Sequence, residues 1–289
     1  MNRRQRRAVV RLESRQGARE TAPPPPEPSA LESGLVFHRQ GNIERAVASY
    51  AKHLEDVPED SDALHLLGVV ASQRGRHEEA MRLFERAIVR GGHVPAYVSS
   101  LGIAYRSLGR HDEAIALYRH VLARTPDFAD AHINLANALQ DKGDLDAAVA
   151  AYEQALGLDR TKETAWANLA SALRAQGRFD AAAQAYREAA ALNPSSAAYL
   201  RDLADILLAL GDLAGADEGY RKALALDPSD AVAHDHLGLA SQGLGRIAEA
   251  EECHRRALAL DPDLAEARHN LGVVLAGKGP AGTPGGAAR

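Results

Sequence analysis

One cysteine, Cys253, is present in 289 residues, so the chain cannot build a disulfide framework or a cysteine-rich zinc site. Aromatic residues are scarce at 4%, with one tryptophan and four phenylalanines, too few for a core that leans on large rings. No apolar run approaches the roughly 18 residues that a membrane-spanning helix needs. The start, Met1-Asn2-Arg3-Arg4-Gln5-Arg6-Arg7, is basic, but no apolar stretch follows it. Neither a secretory leader nor a twin-arginine export signal is therefore expected. These absences lead to the expectation of a helical, alanine- and leucine-rich protein without a transmembrane segment, in the cytoplasm.

What is present is unevenly distributed. The net charge is -5, yet residues 1–22 hold seven arginines against two glutamates, +5, which leaves -10 for the rest. Pro23-Pro24-Pro25-Pro26-Glu27-Pro28 reads as a polyproline II spacer. Residues 277–289 contain five glycines and two prolines, a composition expected to form a disordered tail. Three segments follow: a basic, proline-rich tail and spacer over 1–28, an ordered body over 29–276, and a Gly/Pro tail over 277–289.

The body repeats every 34 residues. Gly41, Gly75, Gly109, Gly143, Gly177, Gly211, Gly245 and Gly279 are spaced by 34 without a slip. Ala46, Ala80, Ala114, Ala148, Ala182, Ala216 and Ala250 keep the same period. So does a ring series: Tyr50, Phe84, Tyr118, Tyr152, Tyr186, Tyr220 and then His254. Leu67, Leu101, Leu135, Leu169, Leu203, Leu237 and Leu271 form a fourth series, each followed by Gly or Ala. Within one unit, Val98, Leu101, Ile103, Ala104, Tyr105 and Leu108 make a helical stripe that Gly109 terminates. A second stripe at Ala114, Ile115, Leu117, Tyr118, Val121 and Leu122 stops at Thr125-Pro126, where proline cannot continue the helix. Each unit is thus a helical hairpin whose small residues allow close approach. One ring per unit accounts for the low aromatic content.

The order Val98, Leu101, Gly102, Tyr105, Ala114, Tyr118, Pro126 resembles the tetratricopeptide repeat (TPR). Trp166, Leu169, Ala170, Leu173, Ala182, Tyr186, Pro194 shows it again. Seven units begin at 27, 61, 95, 129, 163, 197 and 231, and a lone helix from 265 is expected to cap the array. The resemblance implies an all-α, right-handed superhelical solenoid of antiparallel helix pairs, with a concave face lined by the first helix of each pair. The first unit departs most, with Ser33 in the leucine place, and is expected to fray or to act as an amino-terminal cap.

No catalytic set is expected. Cys253 and His254 are adjacent on a helix and point about 100° apart, so they do not form a nucleophile–base pair. Cys253 reads as a partly exposed thiol. His77 and His111 share a place at the hairpin turn, while His234 and His236, two apart, face different ways; no metal site is expected. No cofactor is implied.

In this family the second, fifth, sixth, ninth, twelfth and thirteenth places of the first helix look into the groove. Here they present Ser100, Asn134 and Asn168 at the sixth place, Asn137 and Ser171 at the ninth, and Arg106, Gln140 and Arg174 at the twelfth. The next unit adds Arg201, Asp202 and Asp205. Amide side chains can hold a peptide backbone without reading its sequence, and arginine can take a carboxylate in two-point fashion. The expected function is a non-enzymatic scaffold that binds an extended segment of a protein partner. The Asn places also resemble part of the asparagine ladder in the TPR arm of O-linked N-acetylglucosaminyltransferases. That likeness gives the alternative: a substrate-recognition arm of a glycosyltransferase-like system whose catalytic domain is absent from this chain. The clamp for heat-shock chaperone tails is not matched, since Ile133 precedes Asn137 and Asp202 follows. No dedicated nucleic-acid module is expected, although the arginines of the tail suit contact with an anionic surface.

Overall fold

The computed structural model describes residues 28–277, within which there are fifteen α-helices and no strands. The basic tail and most of the Gly/Pro tail lie outside the described residues. The chain divides after Gly92 into two compact units.

The first unit contains α1 (Ala30–Arg39), α2 (Ile43–Asp56), α3 (Ser61–Gln73) and α4 (His77–Gly91). Helix α1 is a full helix rather than a frayed one, and its start is secured locally. The Ser29 side chain accepts from the Glu32 backbone, and the Glu32 carboxylate accepts from the Ser29 N–H at 2.8 Å, a reciprocal capping box. Those bonds hold the Glu32 carboxyl below its usual range. Tyr50 of α2 and Phe84 of α4 are buried against Gly34 and Gly68 of the helix before each. Across the hairpins, Arg74 reaches Glu44, and Arg86 reaches Glu59 at 2.9 Å.

The second unit contains α5 (Pro95–Ser107), α6 (His111–Leu122), α7 (Ala129–Lys142), α8 (Leu145–Leu158), α9 (Glu163–Ala175), α10 (Phe179–Leu192), α11 (Ala197–Ala209), α12 (Leu213–Leu226), α13 (Ala231–Gly243), α14 (Ile247–Leu260) and α15 (Ala265–Gly277). These form five hairpins and one lone helix, each stacked on its sequence neighbour. Alanines and one ring per hairpin fill the core; Tyr118, Tyr152 and Tyr220 have no exposed surface at all. Turn geometry follows the glycine series. Gly143 ends α7 at φ 89, a left-handed cap that its missing Cβ permits, and its N–H returns to the Gln140 carbonyl.

Small residues in the first helix are seats for the rings. A Cβ added at Gly102 would stand 2.0 Å from the Tyr118 hydroxyl oxygen. Odd-numbered helices also pack on one another: α5 on α7, α7 on α9, α11 on α13, and α13 on α15. Helices α9 and α11 approach each other least in this series.

Cys253 departs from expectation. It is buried at 8% exposure beside Leu237, Ala240 and Tyr220, and burial pushes its thiol up to about 11. Its place on α14 faces the preceding hairpins rather than solvent.

Candidate functional site: a ladder of polar rungs

All the groove residues singled out above lie on α5, α7, α9 and α11 of the second unit. The ring of each second helix points its polar end back at the first helix of its own hairpin. The Tyr118 hydroxyl donates to the Ser99 carbonyl at 3.3 Å. The Tyr152 hydroxyl lies 2.6 Å from Asn137 Oδ1 and 3.0 Å from Gln140 Oε1. The Tyr220 hydroxyl donates to Asp205 Oδ1 at 2.6 Å. His254 Nδ1 lies 2.6 Å from Asp235 Oδ1.

A second donor reaches each of these anchor residues from the next first helix. Asn134 Nδ2 donates to Ser99 Oγ at 3.3 Å, and Asn168 Nδ2 to Asn137 Oδ1 at 2.9 Å. His236 Nδ1 meets Asp205 Oδ1 at 2.9 Å, and Asn270 Nδ2 donates to Asp235 Oδ2 at 3.0 Å. A rung therefore joins a ring on one hairpin, a polar anchor on its first helix, and the sixth place of the following unit. Buried polar groups must find partners, and these rungs supply them while fixing the register between hairpins.

One rung is open. On α9 the anchor place holds Ser171, and the ring is Tyr186 of α10. Tyr186 is 2% exposed, yet neither its hydroxyl nor Ser171 has a hydrogen-bond partner among the described residues. The sixth place that would complete the rung is Asp202 on α11. A carboxylate cannot donate, and it turns instead to Arg201 at 3.1 Å. Arg201 also holds Asp230 at 2.9 Å. The charges of Asp202, Arg174, Asp205 and Arg201 all act on the Tyr186 hydroxyl, which burial first and then Asp202 push up to about 12.

The arginines at the twelfth place, Arg106 and Arg174, differ. Arg106 is committed: its Nε donates to Asp141 Oδ2 at 2.6 Å, joining α5 to α7. Arg174 is exposed on α9, one turn from Ser171, and has no carboxylate partner among the described residues. Asn137 accepts twice through Oδ1, which leaves its two amide N–H groups for another acceptor. Ser100 is half-buried on α5. The sequence pointed to these residues but not to the rungs, nor to Ser99, Tyr186, His236 and Asp235 as members of them. The signal lay in the phase: wherever the ring carries a polar tip, a polar residue stands at the fifth, ninth or twelfth place.

Among the described residues, no three His, Cys, Asp or Glu side chains converge as a metal-holding group, and no helix is long and apolar enough to cross a membrane.

The tetratricopeptide repeat profile matches residues 31–95, 100–163 and 167–231, and a TPR-repeat profile matches residues 243–279. Among solved structures, MamA is 28% identical, with a TM-score of 0.54 over 57% of this chain and 97% of that one. YrrB, described as a TPR protein with an unusual peptide-binding site, is 20% identical, with a TM-score of 0.58 over 64% of this chain and 96% of that one. PilF of Pseudomonas aeruginosa is 18% identical, with a TM-score of 0.63 over 72% and 95% respectively. The last two likenesses concern the fold alone. No curated protein matches the chain.

Proposed function

Because the chain belongs to the tetratricopeptide repeat family, a family of protein–protein interaction scaffolds, we propose that it holds an extended segment of a partner protein across α7, α9 and α11, without catalysing a reaction on it. The observation that carries this reading is the open rung. At the neighbouring steps of the second unit the ring and anchor are joined to each other and to the following first helix. On α9 and α10 the Tyr186 hydroxyl, Ser171 and Arg174 have no hydrogen-bond partner among the described residues, and Asn137 on the neighbouring α7 keeps its amide N–H groups. A ligand that supplies acceptors makes direct hydrogen bonds with these groups in place of water, each worth about 0.5–1.5 kcal/mol. A peptide backbone supplies carbonyls to Asn137 and Tyr186, and an acidic side chain suits the planar guanidinium of Arg174.

The test is selection of binders from an unbiased display library of extended peptides, followed by affinity measurement on the winners. The reading expects selected peptides to share an acidic residue and to lose about tenfold or more in affinity for Arg174→Glu. Peptides without an acidic preference, or binders indifferent to Arg174→Glu, would overturn it.

A further inference from the structure

Helix α15 carries a vacant copy of the seat that closes each hairpin. In four units the eighth place of the first helix is glycine with a ring resting on it. An added Cβ would meet Tyr50 at 2.4 Å from Gly34, Phe84 at 2.5 Å from Gly68, Tyr118 at 2.0 Å from Gly102 and His254 at 2.5 Å from Gly238. The fifth such glycine, Gly272 on α15, has nothing among the described residues within 4 Å of that position. Around it, Val273 is 46% and Leu275 43% exposed, while only Ala267 and Val274 are buried. From Leu271 to Ala276 the helix carries no polar side chain, and an apolar helical face is one that packs.

We propose that this face of α15 is a docking site for an amphipathic helix of another protein, one that presents a tyrosine or phenylalanine to Gly272. The face continues the interface between first and second helices that recurs through every preceding hairpin. Those second helices also define the ligand. Ala148, Tyr152 and Ala155 of α8, or Ala216, Tyr220 and Ala223 of α12, give the pattern alanine, ring four later, alanine three after that. The docking helix carries small residues in those places and the ring between them. A second copy of this chain does not fit the role. Residues 1–27 and 278–289 contain no aromatic residue, and Phe179, the one aromatic among the exposed large apolar residues, is the first residue of α10 rather than a mid-helix ring.

Gly272 makes the test selective. Because none of the described residues lies near it, Gly272→Leu fills the seat without disturbing their packing, and it also removes a helix-interior glycine. The probe is a capped, fluorescent peptide with the sequence of residues 144–159, with Tyr152→Ala in the same peptide as control. Isolated helices of this length are marginal, so titration runs to about 1 mM protein. Expected is saturable binding to the wild-type chain that weakens at least tenfold for Gly272→Leu and for the control peptide. The thermal midpoint of Gly272→Leu should equal or exceed that of the wild type. Absence of binding to the wild type, equal binding to Gly272→Leu, or binding that survives loss of the tyrosine would each overturn the proposal.

Discussion

His254 Nδ1 stands 2.6 Å from Asp235 Oδ1, and the two side chains are 0% and 2% exposed. They occupy the positions of a ring and its anchor, as Tyr220 and Asp205 do two helices earlier, with imidazole in place of phenol. Asp235 is doubly used, because Asn270 of α15 donates to its other oxygen. Asp235→Leu would strand His254 Nδ1 and the Asn270 amide together, at a cost of about 1–3 kcal/mol for each buried group left without a partner. His254→Tyr should cost about 1 kcal/mol or less, since a tyrosine at this ring place reaches the fifth-place residue of its first helix at Tyr118 and a carboxylate at Tyr220. Denaturant unfolding followed by circular dichroism separates the two variants. Equal losses would mean that the rung does not hold this end of the unit.

Seats with and without a ring give a matched pair of mutations. Gly102→Ala drives a methyl into Tyr118 and should destabilise by about 1–3 kcal/mol through overpacking. Gly272→Ala adds a methyl to open space and should stabilise by about 0.5–1 kcal/mol, because alanine loses less conformational entropy than glycine in a helix. Thermal melts of the two single variants test the difference in sign.

His236 makes stability depend on pH. The Asp205 hydrogen bond raises its pKa above 6.5, against the opposing effect of burial, with Asp205, Asp235 and Asp230 adding charge attraction. The ring of Tyr220 packs against it at 5.9 Å. A raised histidine pKa means that protonation is tighter in the folded chain. Its contribution is full below about 6.5 and is lost as pH rises through the folded value. The unfolding midpoint of the wild type relative to His236→Asn should therefore be highest near pH 6 and shrink toward pH 8. An NMR titration of the His236 ring should give a value above 6.5 that falls in Asp205→Asn. A difference that grows as pH rises would contradict the assignment.

Much of the fold was legible because the repeat is a local, periodic signal. Glycines such as Gly109 and Gly143 announce left-handed turns, and prolines such as Pro126 announce helix ends. The ring series at Tyr118, Tyr152 and Tyr220 marks the places that fill the core. The helices that carry Asn134, Asn137, Asn168 and Arg174 were legible in the same way, from the phase of the repeat. What those side chains do was not. Asn168 reaches Asn137 across 31 residues and Asn134 reaches Ser99 across 35, so a rung spans two units and appears in no single one. Arg106 looked as available as Arg174. Its neutralisation by Asp141 needs the packing of α5 on α7, which a single helix pattern does not contain. Cys253 looked partly exposed because one helix stripe does not show which side a neighbouring hairpin covers.

The central claim is that the unspent groups at Ser171 and Tyr186 form the binding site. Ser171→Asn puts at the ninth place the residue type that already anchors the Tyr152 hydroxyl through Asn137. The substitution gives the Tyr186 hydroxyl an amide acceptor of its own and should leave the fold intact. The measurement is the Kd of a display-selected peptide for the wild type and for Ser171→Asn, read by fluorescence anisotropy at equal salt. The account predicts an unchanged or slightly higher thermal midpoint together with affinity reduced about tenfold or more, the loss of one or two hydrogen bonds. Unchanged affinity in a well-folded Ser171→Asn chain would contradict it.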